Sequence, residues 1–331
     1  MANRPVIIDC DTGIDDAMAL VIATNARNID ILAVTTVAGN TTVENVVRNT
    51  CNVLHYLKRD DIPVAKGADK PSERQLKVAA YVHGKTGLRG WDFDEDYCDN
   101  LSPLSAVDLM AEKIRTSKEK VTILALGPVT NIEAFIRKYP ELKEKISQIV
   151  FMGMSYHSGN PTALSTFNVL VDPEAFRKVI HSGIPFTACP LDTTRKAYLT
   201  MNDIEEIMSM DTYKARFVSG ILSGYGELLP SKHKALEREN NEALEMNLEK
   251  KKDLKISLHD PTTAAYIVKP ELFTGKKYYA DVECSGEITT GFTFVDKEDY
   301  YKKSDEERNV FFLETVDREG FVKLFKESMK V

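Results

Sequence analysis

The chain has 331 residues, 43% of them hydrophobic, which is enough for a sizeable buried core. Its net charge is −7, with Lys and Arg scattered rather than gathered in a stripe, and this argues against nucleic acid as a partner. The five cysteines (Cys10, Cys51, Cys98, Cys189 and Cys284) are far apart and contain no CxxC pair, excluding a disulfide framework or a thiolate zinc site and fitting a reducing compartment.

The N-terminal MANRPVII enters an apolar strand without an apolar leader. No apolar run approaches the ~20 residues needed to cross a bilayer. A cytoplasmic protein with no membrane partner is expected.

Nearly continuous β-branched and apolar runs predict strands at 5–10, 30–37, 121–126, 147–152 and 184–188, each buried on both faces. Amphipathic stretches predict helices at 15–26, 42–58, 104–117, 129–137 and 173–182. In the last of these, Asp172 is positioned as N-cap and Pro173 as first helical residue. This alternation predicts an α/β fold with a mostly parallel, Rossmann-like open sheet flanked by helices. From 203 to 255 the pattern becomes polar and helical, dense in Glu and Lys, and reads as an insertion capping a site. Further strands are expected at 278–283 and 289–296, joined through Gly286, and a terminal helix at 318–330. One α/β domain over 1–331 accounts for the pattern.

The chemistry concentrates in VIIDCDTGIDDA, residues 6–17. Strand alternation points Asp9 and Asp11 the same way, Gly13 permits a turn, and Asp15 and Asp16 open the next helix. Carboxyl ends of strands are where open α/β sheets bind ligands. A helix N-terminus favours each negative charge by only ~0.3–1 kcal/mol. Two carboxylates ~4 Å apart repel by about 4 kcal/mol at an effective dielectric of 20. Either protons or a cation must therefore relieve the cluster. All-oxygen ligands select a hard ion, calcium or magnesium, and several direct protein oxygens favour calcium.

Three other readings of the motif exist. The aspartates could be helix caps and solvated charges, although four at this spacing are too many. An EF-hand loop counted from Asp9 needs Gly and Glu where Ile14 and Leu20 stand. A haloacid dehalogenase-like phosphatase would use Asp9 as nucleophile, but its DxDxT motif meets Gly13 in place of threonine.

VIIDCDTGIDDA resembles the DxDxGxDDA signature of the inosine–uridine nucleoside hydrolases, which cleave the N-glycosidic bond of ribonucleosides. Further segments resemble that family in the same order: VAGN (37–40), VHGKTGL (82–88), LGPVTNI (126–132), FMG (151–153) and LHDPTTA (258–264). The resemblance implies that Asp11, Asp16 and Asp260, with the Leu126 carbonyl, hold Ca²⁺. The ion would also bind the ribose diol and a water whose proton passes to Asp11. Asp15 and Asn168 would bond the ribose hydroxyls, Asn40 would support the pocket and Asn160 would reach the 5′ side. His83 and Met152 would contact substrate, and His259 would assist the leaving base. The HDP histidine resembles the nonspecific or pyrimidine-tolerant branch. With Trp91 as its only tryptophan, the chain cannot clamp a purine between two; Trp91 and Tyr225 read as packing residues.

One departure from the pattern stands out. The family carries a glutamate two residues before the asparagine of an EFN segment, and LSTFNV has Thr166 there. The shorter, neutral threonine implies either weaker holding of a 5′-hydroxyl, by ~1.5–3 kcal/mol, or acceptance of a 5′-deoxy, thioether or phosphorylated end. A noncatalytic calcium- or ribose-binding relative is the remaining alternative. The resemblance also implies a homodimer or homotetramer acting on a small-molecule ribonucleoside.

Overall fold

The computed structural model describes residues 3–226 and 255–330. Six parallel strands run β1 (Arg4–Cys10), β2 (Ile29–Thr36), β3 (Val64–Lys66), β4 (Val121–Ala125), β5 (Ile146–Met152) and β6 (Phe186–Cys189). Two antiparallel pairs lie outside the main sheet. One joins β7 (Tyr198–Thr200) to β8 (Lys255–Ser257). The other joins β10 (Ala280–Val282) to β11 (Thr293–Val295) across the Gly286 connection expected from sequence. β12 (Val310–Val316) pairs in parallel with β6, and β9 (Phe273–Tyr278) closes the edge antiparallel to β12. The eight-stranded order is β3-β2-β1-β4-β5-β6-β12-β9.

Alternation along β1 explains why its residues are apolar on both sides. Val6 and Ile8 enter one core with the helices Ile14–Asn25, Val43–Tyr56, His259–Val268 and Arg318–Ser328. Ile7 enters the other, with the helices Ala106–Thr116, Thr130–Lys138 and Pro173–Ile180. The chain leaves β1 toward β2 on one side and returns to β4 on the other. The carboxyl ends of β1 and β4 therefore flank the topological switch point, where such sheets bind ligands.

The five expected strands and five expected helices are present within a few residues of their predicted bounds. Asp172 caps its helix, accepting from Ala175 N at 3.0 Å ahead of Pro173. Among the described residues, four strands carry no clear sequence signal. β3, β7 and β8 have three residues each, and β9 (FTGKKY) is a polar edge strand. The polar 203–255 stretch opens as the two helices Met201–Met208 and Tyr213–Gly226, and its remainder, 227–254, lies outside the described residues. Among those described, no helix is long and apolar enough to cross a membrane.

Candidate active site

The motif aspartates separate into two environments. Asp9, the last but one residue of β1, is fully buried and accepts from Thr35 Oγ1 at 2.6 Å and Asn131 Nδ2 at 2.8 Å. Burial pushes its carboxyl up to about 7 despite those two donors. It does not line the cavity at the sheet edge, so it is no accessible phosphatase nucleophile. Asp11 lies just past the strand, where a Cβ on Gly39 would come within 2.1 Å of its Oδ2 and one on Gly127 within 2.8 Å of its Oδ1. These two glycines let the backbone close around the carboxylate.

Asp16 is the third residue of its helix, and its Oδ2 accepts from Gly13 N at 3.0 Å while Oδ1 accepts from Asp11 N at 3.3 Å. Asn40 joins the two acids, its N–H donating to Asp11 Oδ2 at 2.7 Å and its Nδ2 to Asp16 Oδ2 at 3.0 Å. Gly13 is extended rather than left-handed. Its requirement is close approach: a Cβ there would stand 2.2 Å from His83 Nδ1. The turn expected from sequence is thus a packing constraint.

Burial, then the Asp16 charge, push Asp11 well above the usual carboxylate range. Burial followed by Asp16, Asp15 and Asp11 does the same to Asp260. Burial also raises Asp16, only partly offset by the Gly13 N–H. Asp11 Oδ1 is buried without a protein partner. An all-oxygen donor set, mutual repulsion and an unmatched buried carboxylate oxygen fit a hard divalent cation. Among the described residues no three such groups already surround a single metal position.

A cavity of about 220 Å³ opens beside this cluster. Asp15, Asn40, His83, Leu126, Met152, Asn160, Thr166, Asn168, His259 and Asp260 line it, while Asp11 and Asp16 sit buried behind Asn40. Asn168 Nδ2 donates to the Leu126 carbonyl at 2.5 Å and to the Met152 carbonyl at 3.0 Å, joining the ends of β4 and β5. Asn160 Oδ1 accepts from Phe167 N at 3.0 Å. Thr166 Oγ1 accepts from the N–H of Met154, whose φ is +72°. The hydroxyl therefore supports a residue held in the left-handed region.

The two histidines differ in their supports. His83 Nδ1 accepts from Ile14 N at 3.2 Å, which places the neutral ring's proton on Nε2. Burial, then Arg89, push its imidazole down to about 3. His259 keeps partial exposure; its Nδ1 lies 2.7 Å from Thr194 Oγ1 and its backbone N–H donates to Asp15 Oδ2 at 3.3 Å. Burial, then Arg195, lower its imidazole to about 4.

Sequence reasoning missed Ala79, Tyr81, Val82, Phe167 and Ser257 in the cavity wall, and Thr194 behind it. Phe167 stands inside the FN segment and had a local signal. Residues 79–82 reach the wall because Ala79 N donates to the Asn40 carbonyl at 3.1 Å, a contact across 39 residues of chain. Trp91 packs against Tyr56, Phe93 and Phe217 rather than lining the cavity. The Tyr225 side chain lies outside the described residues.

The model of the inosine-uridine preferring nucleoside hydrolases matches residues 6–323. The chain belongs to that family. Pyrimidine-specific ribonucleoside hydrolases named RihA, from Shigella boydii serotype 4 (strain Sb227) and Salmonella schwarzengrund (strain CVM19633), are 39% and 40% identical over 98% of this chain and 98% of their own. A plant nucleoside hydrolase superposes with a TM-score of 0.84 at 27% identity over 100% of both chains. A purine-preferring ribonucleoside hydrolase from Gardnerella vaginalis superposes at 0.83, with 26% identity over 98% of each. Family membership and these relatives make the chain a ribonucleoside hydrolase.

Proposed function

We propose that this nucleoside hydrolase cleaves pyrimidine ribonucleosides to free base and ribose with calcium as its resident cation. The observation that carries the metal reading is Asp11 Oδ1, buried and unmatched beside two further acids whose protonation burial and repulsion favour. The base preference rests on the RihA relatives at about 40% identity and on Trp91 being committed to packing.

Asp11, Asp16 and Asp260 would hold the ion together with the Leu126 carbonyl, which keeps a lone pair beyond its Asn168 bond. Bound there, a cation would neutralise the acids, help hold the ribose diol and lower the pKa of the attacking water. Asp11 would receive the attacking water's proton as the water oxygen bonds to C1′ and the base departs with the C–N electron pair. Asp15 and Asn168 orient the ribose hydroxyls. Positive charge builds on the sugar as the bond breaks, and the carboxylates behind Asn40 stabilise it. His259 donates a hydrogen bond to the leaving base, with His83 and Met152 completing the wall around it.

At the 5′ end, Asn160 and Thr166 face the substrate. Thr166 Oγ1 already accepts from Met154 N, leaving its proton and one further lone pair to offer a 5′ group. A neutral donor tolerates a 5′-deoxy, thioether or phosphorylated end where a carboxylate would repel or starve it. A cytoplasmic homodimer or homotetramer fits the five free cysteines and the family.

The test is base and reducing-sugar release from uridine, cytidine, inosine, adenosine and their 5′-deoxy and 5′-methylthio analogues, before and after chelation and calcium return. Uridine and cytidine should be cleaved fastest, chelation should abolish turnover, and calcium should restore it. Turnover that survives chelation would remove the metal reading. Equal or lower activity on every 5′-modified substrate would remove the Thr166 reading. Bound ribose with no cleavage of any substrate would favour the noncatalytic alternative.

A further inference from the structure

The short helix Leu191–Thr194 follows β6 directly and reaches behind the cavity. It is held rigidly. Thr193 Oγ1 donates to the Leu313 carbonyl at 2.7 Å, and Thr194 N donates to the Pro190 carbonyl at 2.9 Å. Thr194 is fully buried, and its hydroxyl meets His259 Nδ1 at 2.7 Å. The adjoining residues of the same segment brace the far side of the cavity. Asp192 accepts from Tyr156 N at 2.8 Å, and Arg195 donates to the Gly159 carbonyl at 2.7 Å, next to Asn160.

A neutral imidazole presents either a donor or an acceptor at Nε2, and the partner of Nδ1 decides which. A threonine hydroxyl can satisfy either tautomer, so the cavity's chemistry breaks the tie. The departing base gains negative charge and needs a donor. We infer that Thr194 is a positioning residue for the cleavage reaction, its hydroxyl donating to His259 Nδ1 so that Nε2–H faces the leaving base. The pair stabilises developing charge through a hydrogen bond and need not surrender its proton. The inference rests on the hydrolase reading above and extends it to a residue outside the cavity wall.

The experiment compares Thr194→Val, which keeps shape and loses the hydroxyl, with Thr194→Ser, which keeps the hydroxyl. Each is assayed on uridine and on 4-nitrophenyl β-D-ribofuranoside, whose phenolate leaves without a donor. Thr194→Val should lose about 10–100-fold in kcat on uridine with KM little changed. It should lose less than about 3-fold on the nitrophenyl riboside, and Thr194→Ser should recover most of the uridine rate. In ¹⁵N-detected imidazole spectra of the wild-type protein, His259 should show a protonated Nε2 and a bare Nδ1. An equal loss on both substrates, no loss on uridine, or a protonated Nδ1 overturns the inference while leaving the hydrolase reading intact. A wild-type protein that cleaves neither substrate overturns both.

Discussion

The backbone N–H of Asn40 donates to Asp11 Oδ2 at 2.7 Å, while the same residue's side-chain amide reaches Asp16 at 3.0 Å. Asn40 thereby holds two mutually repelling acids from one loop. Asn40→Ala keeps the backbone bond and removes the amide, so Asp16 loses a fixed donor but Asp11 does not. Calorimetric titration should show calcium affinity about 10–100-fold weaker, with kcat at saturating calcium reduced far less. Unchanged affinity would mean that the amide does not organise the acids.

Asp260 is crowded by three other carboxylates, a cost the fold carries for its site. At pH 8 after chelation, Asp260→Asn should melt about 2–4 °C higher than the wild type, because the amide carries neither a buried charge nor a proton taken up against the solution pH. Calcium at about 100 times its Kd should stabilise the wild type by ~2.7 kcal/mol and the variant much less. The order of melting temperatures should then reverse. A variant less stable than wild type in chelator would contradict this account of the cluster.

Gly13 admits His83 by lacking a Cβ. Gly13→Ala should cost about 1–3 kcal/mol through overpacking and lower kcat/KM by displacing the ring. Adding His83→Ala should return much of the stability without returning activity, since the two changes share one contact. Additive losses in chemical denaturation would show that the strain lies elsewhere.

Far from the cavity, Asp203 accepts from Thr200 N at 2.9 Å and from Lys326 at 2.8 Å, and also pairs with Arg318. Burial alone would raise its carboxyl, but Lys326 and Thr200 hold it well below the ordinary range. A depressed folded-state value contributes stability above the unfolded carboxylate value of ~3.9 and loses it as pH falls toward the folded value. Asp203→Asn should therefore cost about 2–3 kcal/mol at pH 7. Its deficit should shrink steadily below about pH 4 in thermal melts. A deficit independent of pH would assign Asp203 a purely steric role.

Much was legible in the sequence because its causes are local. Strands buried on both faces are largely apolar, so β1, β4 and β5 were readable from their nearly continuous β-branched and apolar runs even with Asp9, Thr122 and Gln148 among them. Asp172 before Pro173 marked a helix start because capping involves neighbours only a few residues away. The electrostatic demand for a cation followed from four aspartates within eight positions.

Tertiary structure decided what depends on distant contacts. β9 is a polar hexamer that becomes a strand only because β12 offers it an edge. Asp9 and Asp11 look equivalent in sequence; Thr35 and Asn131 claim the first, while Gly39 and Gly127 enclose the second. Nothing near Thr194 announces a histidine 65 residues away, yet the two side chains meet at 2.7 Å. Sequence determines which groups must be neutralised, buried or capped, because those needs are carried by each residue's own chemistry. Which partner meets the need is set by where the sheet's crossovers bring remote segments together.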